Sequence, residues 1–413
     1  MTRITYVVSE YPAPSHTFIR REIAALRRRG ISIETVSIRA TDSLNDSQID
    51  LEERRVTRVV QATPFVQIGA ECVRAIFLNP IRFSKSLRLA LSHRVPGLRS
   101  FFWALFHLVE AIILAGHVRK AGSTHIHSHF ANSGATVGLL AAKFLGISWS
   151  FTVHGISETD YPAGALLGDK VRQASFVSCA SWFMKAQAMR MVQPDQWEKI
   201  FVTRCGLEFA QLPTAKQLSP AGPLSIICVG RLSPEKGHAG LLSAFRRIVA
   251  EGIDAKLVLV GDGPEGPALA RTVRDYDLVE RVELTGRLDE LETLTRIAEA
   301  DVLVLPSLME GLPMVLIEAL GLGKPVVSSW VAGIPELVEP NGTGILFAPG
   351  DWERLADALR RICVDESLRN RLARGAKQRV AVEFDIDHAV RPLFERFTSR
   401  QVMSAPDLIT FEE

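Results

Sequence analysis

Segments with the hydrophobic pattern of strands alternate along the chain with segments that have the pattern of helices. Short apolar runs of about four to eight residues, typical of buried strands, are separated by longer stretches with helical spacing. The first unit is the strand Ile4–Val8, a proline-containing loop over 9–16, and a helix over 17–29 that ends at Gly30. Further strands are predicted at 31–38, 124–130, 148–153, 175–180 and 199–203. This alternation with short links indicates a parallel sheet with helices on both faces.

A second series of the same kind follows a break in the pattern. Residues 212–223 contain three prolines and no periodicity, so we place a domain boundary between 215 and 216. The strands predicted beyond it are 224–229, 256–260, 281–285, 301–305, 325–328 and 344–347. The sequence therefore predicts two doubly wound, Rossmann-like α/β domains, 1–215 and 216–385, facing each other across a cleft. A C-terminal helix over about 386–413 would pack back on the first domain.

Length and composition are those of a soluble enzyme with two domains. The chain has 413 residues, of which 47% are hydrophobic and 23% charged. Five scattered cysteines without a CxxC pair argue against a disulfide framework and a zinc cluster, and favour the reducing cytoplasm. Residues 1–120 carry 18 Lys and Arg against 10 Asp and Glu. This excess indicates a solvated basic face or, alternatively, an anionic partner such as a phosphate or an acidic lipid surface.

One apolar segment, residues 100–118, is long enough to raise the question of a membrane helix. It reads SFFWALFHLVEAIILAGHV, has Glu110 near its middle and is flanked by basic residues on both sides. A spanning helix needs about 20 apolar residues, and a central acid is costly there. We therefore expect a buried helix, with a helix docked on a membrane surface as the alternative and a true span as the least favoured reading.

The stretch that says most about chemistry is residues 300–329. It reads as a buried strand, a loop at the carboxyl end of that strand, and a helix with Pro313 in its first turn. The N terminus of such a helix offers free N–H groups and a positive dipole to an anion. Glu310 precedes the helix, and Glu318 lies in its second turn and leans back toward the start. Two carboxylates beside an anion site suit a sugar joined to a phosphate. A capping acid and a surface acid on an ordinary helix remain the alternative.

A second candidate anion site follows the first strand of the second series. The loop reads GRLSPEKG over 230–237, and its glycines allow a ligand to approach the backbone closely. Arg231 and Lys236 place two cations at the carboxyl end of the strand, where a diphosphate would lie. A salt-bridged turn is the alternative.

Together these motifs resemble the retaining glycosyltransferases of the GT-B fold, family 4 (group 1). Besides the segment with Glu310 and Glu318, an E-x7-E pattern, the matching motifs are VGRLSPEKG (229–237), LVGDGPE (259–265), VELTGRL (282–288) and GKPVVSSWVAGIPELVEPNGTGILFAPGD (323–351). Their order and spacing follow the family over nearly the whole second domain.

The resemblance is weaker in the first domain. FTVHGIS (151–157) resembles the family's strand-end His-Gly, although the acid often found three residues after the histidine is Ser157 here, with Asp160 nearby. RCGLE (204–208) departs from the usual asparagine-glycine turn. The segment over 9–30 is similar to the subgroup that builds exopolysaccharide and colanic-acid-type repeat units.

The resemblance implies roles for individual residues. Arg231 and Lys236 would neutralise the donor diphosphate, Glu310 would accept sugar hydroxyls and Glu318 the ribose hydroxyls. The implied catalytic residues are His154, Glu310, Arg231 and Lys236, with His154 near the reacting centre. The implied donor-binding residues are Arg231, Lys236, Arg287, Leu288, Glu310, Gly311, Leu312, Pro313, Met314, Val315 and Glu318. On the acceptor side we expect Ser15, His16, Thr17 and His129.

The implied reaction moves a sugar from a nucleoside-diphosphate sugar to a saccharide acceptor with retention, in exopolysaccharide or related glycan biosynthesis. No protein nucleophile, cofactor or metal is expected, because fixed cations and the helix end would stabilise the leaving diphosphate. We expect an acceptor linked to a polyprenyl diphosphate, peripheral membrane contact through the basic first domain, and no nucleic-acid partner. The alternatives are a nucleotide-sugar epimerase or phosphorylase of the same fold, and a nucleotide-sugar-binding protein without turnover.

Three further patterns suggest other ligands. GDGPEG (261–266) has the form G-x-G-x-x-G, but it lies in the second unit of its domain and is rich in proline, which argues against a dinucleotide. The histidines of HIHSH (125–129) face one side of a strand; without an accompanying carboxylate or cysteine cluster we expect cleft or core histidines rather than a metal site. The Asp-x-Asp pairs at 275–277 and 385–387 are expected on the surface.

Overall fold

A computed structural model of the chain describes residues 3–13, 16–41, 47–216 and 223–399. The chain divides into two compact units, one comprising Met1–Cys205 with Ala389–Glu413 and the other Gly206–His388. Each unit is built on one parallel sheet with helices on its faces.

The described part of the first unit contains a sheet of seven parallel strands in the order β3-β2-β1-β4-β5-β6-β7. The strands are β1 (Arg3–Glu10), β2 (Ser32–Arg39), β3 (Arg58–Val59), β4 (His125–His129), β5 (Ser148–Val153), β6 (Phe176–Cys179) and β7 (Ile200–Val202). The helices between them are α1 (Thr17–Arg28), α2 (Gln48–Val56), α3 (Phe65–Leu78), α4 (Pro80–Ser92), α5 (Leu98–Ala121), α6 (Ser133–Leu145), α7 (Ala163–Gln173) and α8 (Trp182–Met189).

Within its described residues, the second unit contains a sheet of six parallel strands in the order β10-β9-β8-β11-β12-β13. The strands are β8 (Leu224–Val229), β9 (Ala255–Val260), β10 (Val282–Gly286), β11 (Val302–Leu305), β12 (Val326–Ser329) and β13 (Gly344–Phe347). The helices are α9 (His238–Ala250), α10 (Gly266–Asp275), α11 (Glu290–Glu299), α12 (Met314–Gly321), α13 (Ile334–Leu337), α14 (Trp352–Val364) and α15 (Glu366–Glu383). The doubly wound α/β fold predicted from the alternation is therefore confirmed in both units.

The boundary between the units lies at Cys205–Gly206 rather than at 215–216. The backbone N–H of Leu207 donates to the carbonyl of Phe384 at 2.8 Å, and the N–H of Ile386 donates back to Leu207 at 3.1 Å. These hydrogen bonds tie the segment after Cys205 to the second unit. The proline-rich stretch used to place the boundary comes later in the chain than this pairing.

The chain returns to the first unit near its C terminus. The predicted helix over about 386–413 is in fact two helices, α16 (Ile386–Ala389) and α17 (Arg391–Thr398), and residues 400–413 lie outside the described part. Phe397 of α17 is buried against the rings of Tyr6 and His125, with centroids 6.1 and 5.7 Å away. Helix α17 thus belongs to the core of the first unit.

Helix α5 is buried over only part of its length. Its middle and second half lie in the core, including Glu110, whose carboxylate accepts a hydrogen bond from Gln61 Nε2 at 2.8 Å and whose pKa is raised by burial. Its first turns instead expose large apolar side chains. Among the described residues it is the one helix long and apolar enough to cross a membrane, with a mean hydropathy of 1.7 and 56% of that stretch buried. The prediction of a buried helix therefore fits only the later part of the segment.

The strand order reverses at one place in each sheet, between β1 and β4 in the first unit and between β8 and β11 in the second. Loops that leave the carboxyl ends of two such strands diverge to opposite faces of the sheet and open a crevice between them. Ligands of doubly wound sheets bind there. These two positions define where functional residues are to be sought.

Candidate active site

Two predicted site residues meet at the reversal point of the second sheet. Lys236 follows β8 and Glu310 follows β11, and Lys236 Nζ donates to Glu310 Oε1 at 2.5 Å. The Ser307 hydroxyl donates to the same carboxylate oxygen at 2.7 Å. The side chain of Lys236 is 23% exposed and that of Glu310 9% exposed, so the pair is shielded but reachable. The structure therefore joins the two candidate motifs in one contact.

The loops that carry this pair are held together by their backbones. Gly237 has φ +70°, and a Cβ atom there would lie 2.3 Å from the carbonyl oxygen of Pro306. Only glycine tolerates both the left-handed backbone and this close approach. The N–H of Leu308 donates to the carbonyl of Glu235 at 2.7 Å. These contacts fix the distance between the loop after β8 and the loop after β11.

Helix α12 begins beside the Lys236–Glu310 pair. Pro313 is its N-cap residue, with φ −74° and ψ 120°, so it precedes the helix rather than lying in the first turn as predicted. The helix starts without a side-chain cap and without an acid in its first turn, which leaves its positive end available to an anion. Glu318 lies in the second turn and is only 9% exposed. Glu310 is thus not a capping acid and Glu318 is not a surface acid.

Arg231 occupies the same loop as Lys236 but points elsewhere. Its guanidinium lies 3.2 Å from Glu235 Oε1, and its side chain is 69% exposed. This is the salt-bridged turn considered as an alternative, and it involves Arg231 rather than Lys236. A single exposed pair of this kind contributes about 0.2–1 kcal/mol or less, so Arg231 is easily released to another anion.

The remaining donor-side candidates divide between the start of α12 and the loop after β10. Gly311 accepts a hydrogen bond at its carbonyl from Gly333 N–H at 3.0 Å, which anchors the loop that leads through Leu312 to the helix. The first helical residues, Met314 and Val315, are half-buried. Arg287 and Leu288 follow β10, the edge strand, which β9 separates from β8. Arg287 is exposed, and the structure does not bring it to the Lys236–Glu310 pair.

The G-x-G-x-x-G pattern packs against protein rather than presenting an open phosphate loop. A Cβ atom at Gly261 would lie 2.0 Å from the carbonyl oxygen of Gly230, and one at Gly263 would lie 2.4 Å from that of Leu232. Both glycines therefore let the loop after β9 close on the loop after β8. The two Asp-x-Asp pairs lie at helix termini, at the end of α10 and the start of α16, and not at strand ends.

Several predicted residues of the first unit also converge. His154 follows β5, and its Nε2 lies 2.9 Å from Nδ1 of His129, with the two rings stacked. The rings of Phe18 and Phe130 lie 4.7 and 4.9 Å from that of His154. Burial, followed by the neighbouring His129 and His16, lowers the pKa of His154 well below its usual value. A neutral imidazole at this position can accept or donate a hydrogen bond.

The N-terminal candidates lie beside this histidine pair. His16 contacts the Phe130 ring at 5.1 Å and the carbonyl of Glu10 at 3.0 Å, and burial lowers its pKa to about 4. Thr17 is the first residue of α1 and is half-buried. Ser15 lies outside the described residues. The structure therefore brings His16, His129 and His154 to one edge of the first sheet.

Sequence reasoning missed a buried carboxylate that holds this edge in place. Glu158 Oε1 accepts from the backbone N–H of His154 at 2.6 Å and of Gly155 at 2.7 Å, and Glu158 Oε2 accepts from that of Ala131 at 2.5 Å. Lys170 Nζ donates to the carbonyl of Ala131 at 2.6 Å. Burial raises the pKa of Glu158 to about 7 and lowers that of Lys170 to about 7.

Glu158, rather than Ser157 or Asp160, is the residue after the strand-end His-Gly whose carboxylate binds the loop backbone. It lies four residues after His154, and its partner Ala131 is 27 residues away in sequence. The available signal was an acid close behind a strand-end His-Gly. Its three backbone partners could be identified only from the fold.

A carboxylate does accompany the strand histidines, contrary to the sequence prediction. Glu22 of α1 lies 3.3 Å from Nε2 of His129 and accepts a hydrogen bond from Tyr6 at 2.8 Å. Glu22, His127 and His129 are all buried, with candidate ligand atoms within 4.8 Å of one another, a spacing that could hold a metal ion. Both ring nitrogens of His127 already contact hydroxyl groups, at 2.7 and 3.0 Å. Metal binding would have to break one of these contacts.

We expect the free energy of unfolding to fall as the pH is lowered from about 6.5 toward 4. Burial lowers the pKa of His125 to about 3, whereas an unfolded histidine titrates near 6.5. Between these values the unfolded chain binds more protons, so acid favours unfolding. At pH 5 this one histidine should lower the free energy of unfolding by about 2 kcal/mol.

Urea unfolding of the intact chain and of His125→Asn at pH 7 and pH 5 checks this pH dependence. The free energy of unfolding of the variant should differ less between pH 7 and pH 5 than that of the intact chain. His388→Asn, which removes an exposed histidine, is the control and should retain it. An unchanged pH dependence in His125→Asn would show that this histidine does not carry the effect.

Known proteins are similar to this chain in both sequence and fold. A family model described as "Glycosyl transferases group 1" matches residues 213–379. The amylovoran biosynthesis glycosyltransferase AmsK of Erwinia amylovora is 36% identical over 416 residues, covering 95% of this chain and 98% of that protein. The putative colanic acid biosynthesis glycosyltransferase WcaL of Escherichia coli K12 is 28% identical over 382 residues, covering 86% and 89%.

Solved structures with a similar fold cover nearly the whole chain. Sucrose-phosphate synthase of Thermosynechococcus elongatus superposes with a TM-score of 0.74 at 21% identity, covering 98% of this chain and all of that one. HepE of Anabaena, solved in complex with UDP and glucose, superposes with a TM-score of 0.72 at 19% identity, covering 97% of this chain and 100% of that one. At these identities the likeness concerns the fold alone.

Proposed function

We propose a reaction for this chain from one premise: it belongs to the group 1 glycosyl transferases and is a glycosyltransferase. The reaction is transfer of a sugar from a nucleoside-diphosphate sugar to a saccharide acceptor, with retention of the anomeric configuration. The acceptor is carried on a polyprenyl diphosphate, and the product is a repeat unit of an exopolysaccharide or a related glycan. The relatives AmsK and WcaL, whose names refer to amylovoran and colanic acid biosynthesis, support this product class.

One observation carries the donor assignment, the contact between Lys236 and Glu310 beside the start of α12. A cation, a shielded carboxylate and an uncapped helix end at a strand-order reversal suit a ligand with both a diphosphate and hydroxyl groups. In the proposed complex the ammonium group of Lys236 binds the diphosphate instead of Glu310. The freed Glu310 then accepts hydrogen bonds from the sugar, and Glu318 accepts them from the ribose.

The proposed chemistry needs no protein nucleophile. The bond between the anomeric carbon and the diphosphate oxygen breaks as the acceptor hydroxyl oxygen bonds to that carbon on the same face. The hydroxyl proton passes to an oxygen of the departing diphosphate. Lys236, Arg231 and the N–H groups at the start of α12 stabilise the charge that builds on this leaving group, in the role that a metal ion has in other enzymes. His154 contacts the transferred sugar as a neutral imidazole.

A thermal-shift panel of nucleoside diphosphates and their sugars tests the donor site. At about 100 times its Kd, the correct nucleotide should add about 2.7 kcal/mol of stability. Lys236→Ala should abolish the shift, whereas Lys256→Ala should retain it. Lys256 is an exposed lysine near the amino end of β9, in the same unit and away from the strand carboxyl ends. The absence of a shift with every nucleotide would contradict the donor assignment.

The same preparation tests the metal-independent mechanism and the reaction class. Transfer should continue in excess EDTA, with kcat/KM within about twofold of the untreated enzyme, because protein cations supply the charge. A loss restored by Mg²⁺ or Mn²⁺ would contradict that part of the proposal. Conversion of the donor without any acceptor would instead indicate an epimerase.

A further inference from the structure

The first turns of α5 expose an apolar surface that the transfer reaction does not explain. We call Leu98, Phe102, Trp103 and Phe106 the α5 apolar surface; these side chains are 74%, 62%, 48% and 45% exposed. Their spacing places them on one side of the helix. Trp103 and Phe106 contact each other edge to face at 5.5 Å. Four large apolar side chains grouped in this way indicate a surface that meets a partner.

This surface lies at the functional edge of the first sheet. Helix α6 begins directly after β4, at the carboxyl end of the strand. At the end of α4, His93 contacts Thr136 in the first turn of α6, with Nε2 and Oγ1 3.5 Å apart. Toward the start of α4, Arg82 donates to the carbonyl of Leu145 at the other end of α6. Helix α4 therefore runs antiparallel to α6, and α5 starts at the edge where His16, His129 and His154 converge.

The segment of chain that carries the surface is basic, and Asp169 pairs with His93 just before it, at 2.5 Å. Residues 80–106 contain five arginines and lysines and no aspartate or glutamate. Of these basic residues, Lys85, Arg88 and Arg99 are exposed, and Arg94 lies over the ring of Phe101 at 5.9 Å. Aromatic and aliphatic side chains set among cations are the pattern of a segment lying in the interface of an anionic bilayer.

The structure excludes α5 as a span in this folded state, because Glu110 and most of the following residues are buried inside the first unit. The part of the helix that exposes large apolar side chains runs from Leu98 to Phe106. We propose that the α5 apolar surface docks the enzyme on an anionic membrane. The edge of the first sheet that carries His16, His129 and His154 would then lie next to the lipid. The proposal rests on the proposed function, since a polyprenyl-linked saccharide would reach this edge from the bilayer.

A second exposed apolar pair provides a matched control. Phe77 and Leu78, at the end of α3, are 75% and 65% exposed. They precede the start of α4, near Leu145, and so lie at the opposite end of α4 from the α5 apolar surface. Substituting them removes a comparable amount of exposed apolar side chain from a place that the proposal does not use.

Cosedimentation of the full chain with vesicles tests the proposal. The vesicles are phosphatidylcholine alone or phosphatidylcholine with about one third phosphatidylglycerol. We expect binding to the anionic vesicles that weakens in high salt, and a loss of about tenfold or more in F102S/W103S/F106S. F77S/L78S should bind as the unmodified chain does. Unchanged thermal unfolding of both variants verifies that they are folded.

Each other result overturns the proposal in a defined way. Equal binding by F102S/W103S/F106S shows that the surface does not contact lipid, and an equal loss in F77S/L78S shows that the contact lies elsewhere. If the chain does not bind vesicles but forms a dimer, and the dimer is lost in F102S/W103S/F106S, then the surface serves self-association. Nucleotide thermal shifts on the same variants report the donor site separately, so failed docking with intact donor binding leaves the proposed reaction standing.

Discussion

Replacing Lys236 by alanine should lower kcat/KM for sugar transfer by about two to three orders of magnitude. Lys236 Nζ donates to Glu310 Oε1 at 2.5 Å, in the loop that precedes α12. Removing it withdraws positive charge from the leaving diphosphate in a shielded site, where water compensates poorly. A coupled assay for released nucleoside diphosphate measures the change. Lys256→Ala, at an exposed position of β9, should stay within about twofold.

A second variant separates phosphate binding from a purely structural ion pair. If Lys236 served only to neutralise Glu310, then Lys236→Ala combined with Glu310→Gln would regain activity, because no buried charge would be left unpaired. If Lys236 binds the diphosphate and Glu310 binds the sugar, the double variant should be no better than Lys236→Ala. Recovery to within about tenfold of the unmodified enzyme would refute the donor-binding roles.

Periodicity predicted the strands of the second unit closely, because each is a short apolar run bounded by glycine, proline or polar residues. The strand predicted at 256–260 is Ala255–Val260, and the one predicted at 344–347 is Gly344–Phe347. Parallel strands that are buried on both faces leave little ambiguity about where such a run begins and ends. The placement of candidate residues at strand carboxyl ends follows from the same pattern.

Contacts between distant parts of the chain were harder to predict. Lys236 and Glu310 are 74 residues apart, and only the sheet order, with β8 beside β11, brings them together. The domain boundary was misplaced because local proline content carries no information about the pairing of Leu207 with Phe384. Glu22 was missed as a neighbour of the strand histidines because it comes from α1, which precedes β4 by about a hundred residues. Side-chain geometry at such points depends on the packed tertiary structure.

Replacing Glu158 by alanine should lower the free energy of unfolding by about 3–5 kcal/mol. The carboxylate accepts three backbone hydrogen bonds, from His154, Gly155 and Ala131, at 2.5–2.7 Å. Alanine leaves these buried N–H groups without that acceptor and removes the negative charge beside buried Lys170. Urea unfolding measures the loss. Glu198→Ala, at an exposed position of the same unit, should change stability by no more than about 0.5 kcal/mol.

Glu158→Gln tests the contact of Glu158 with Ala131 while it retains the contacts with His154 and Gly155. The amide oxygen can still accept from His154 and Gly155, but the NH₂ group then faces the N–H of Ala131, and two donors repel each other. We therefore expect a smaller loss of stability than with alanine, together with a displaced loop after β4 and a reduced kcat. The nucleotide thermal shift should be unchanged, because donor binding is assigned to residues of the second unit. A variant with full kcat would show that the contact between Glu158 and Ala131 stabilises the first unit without being needed for transfer.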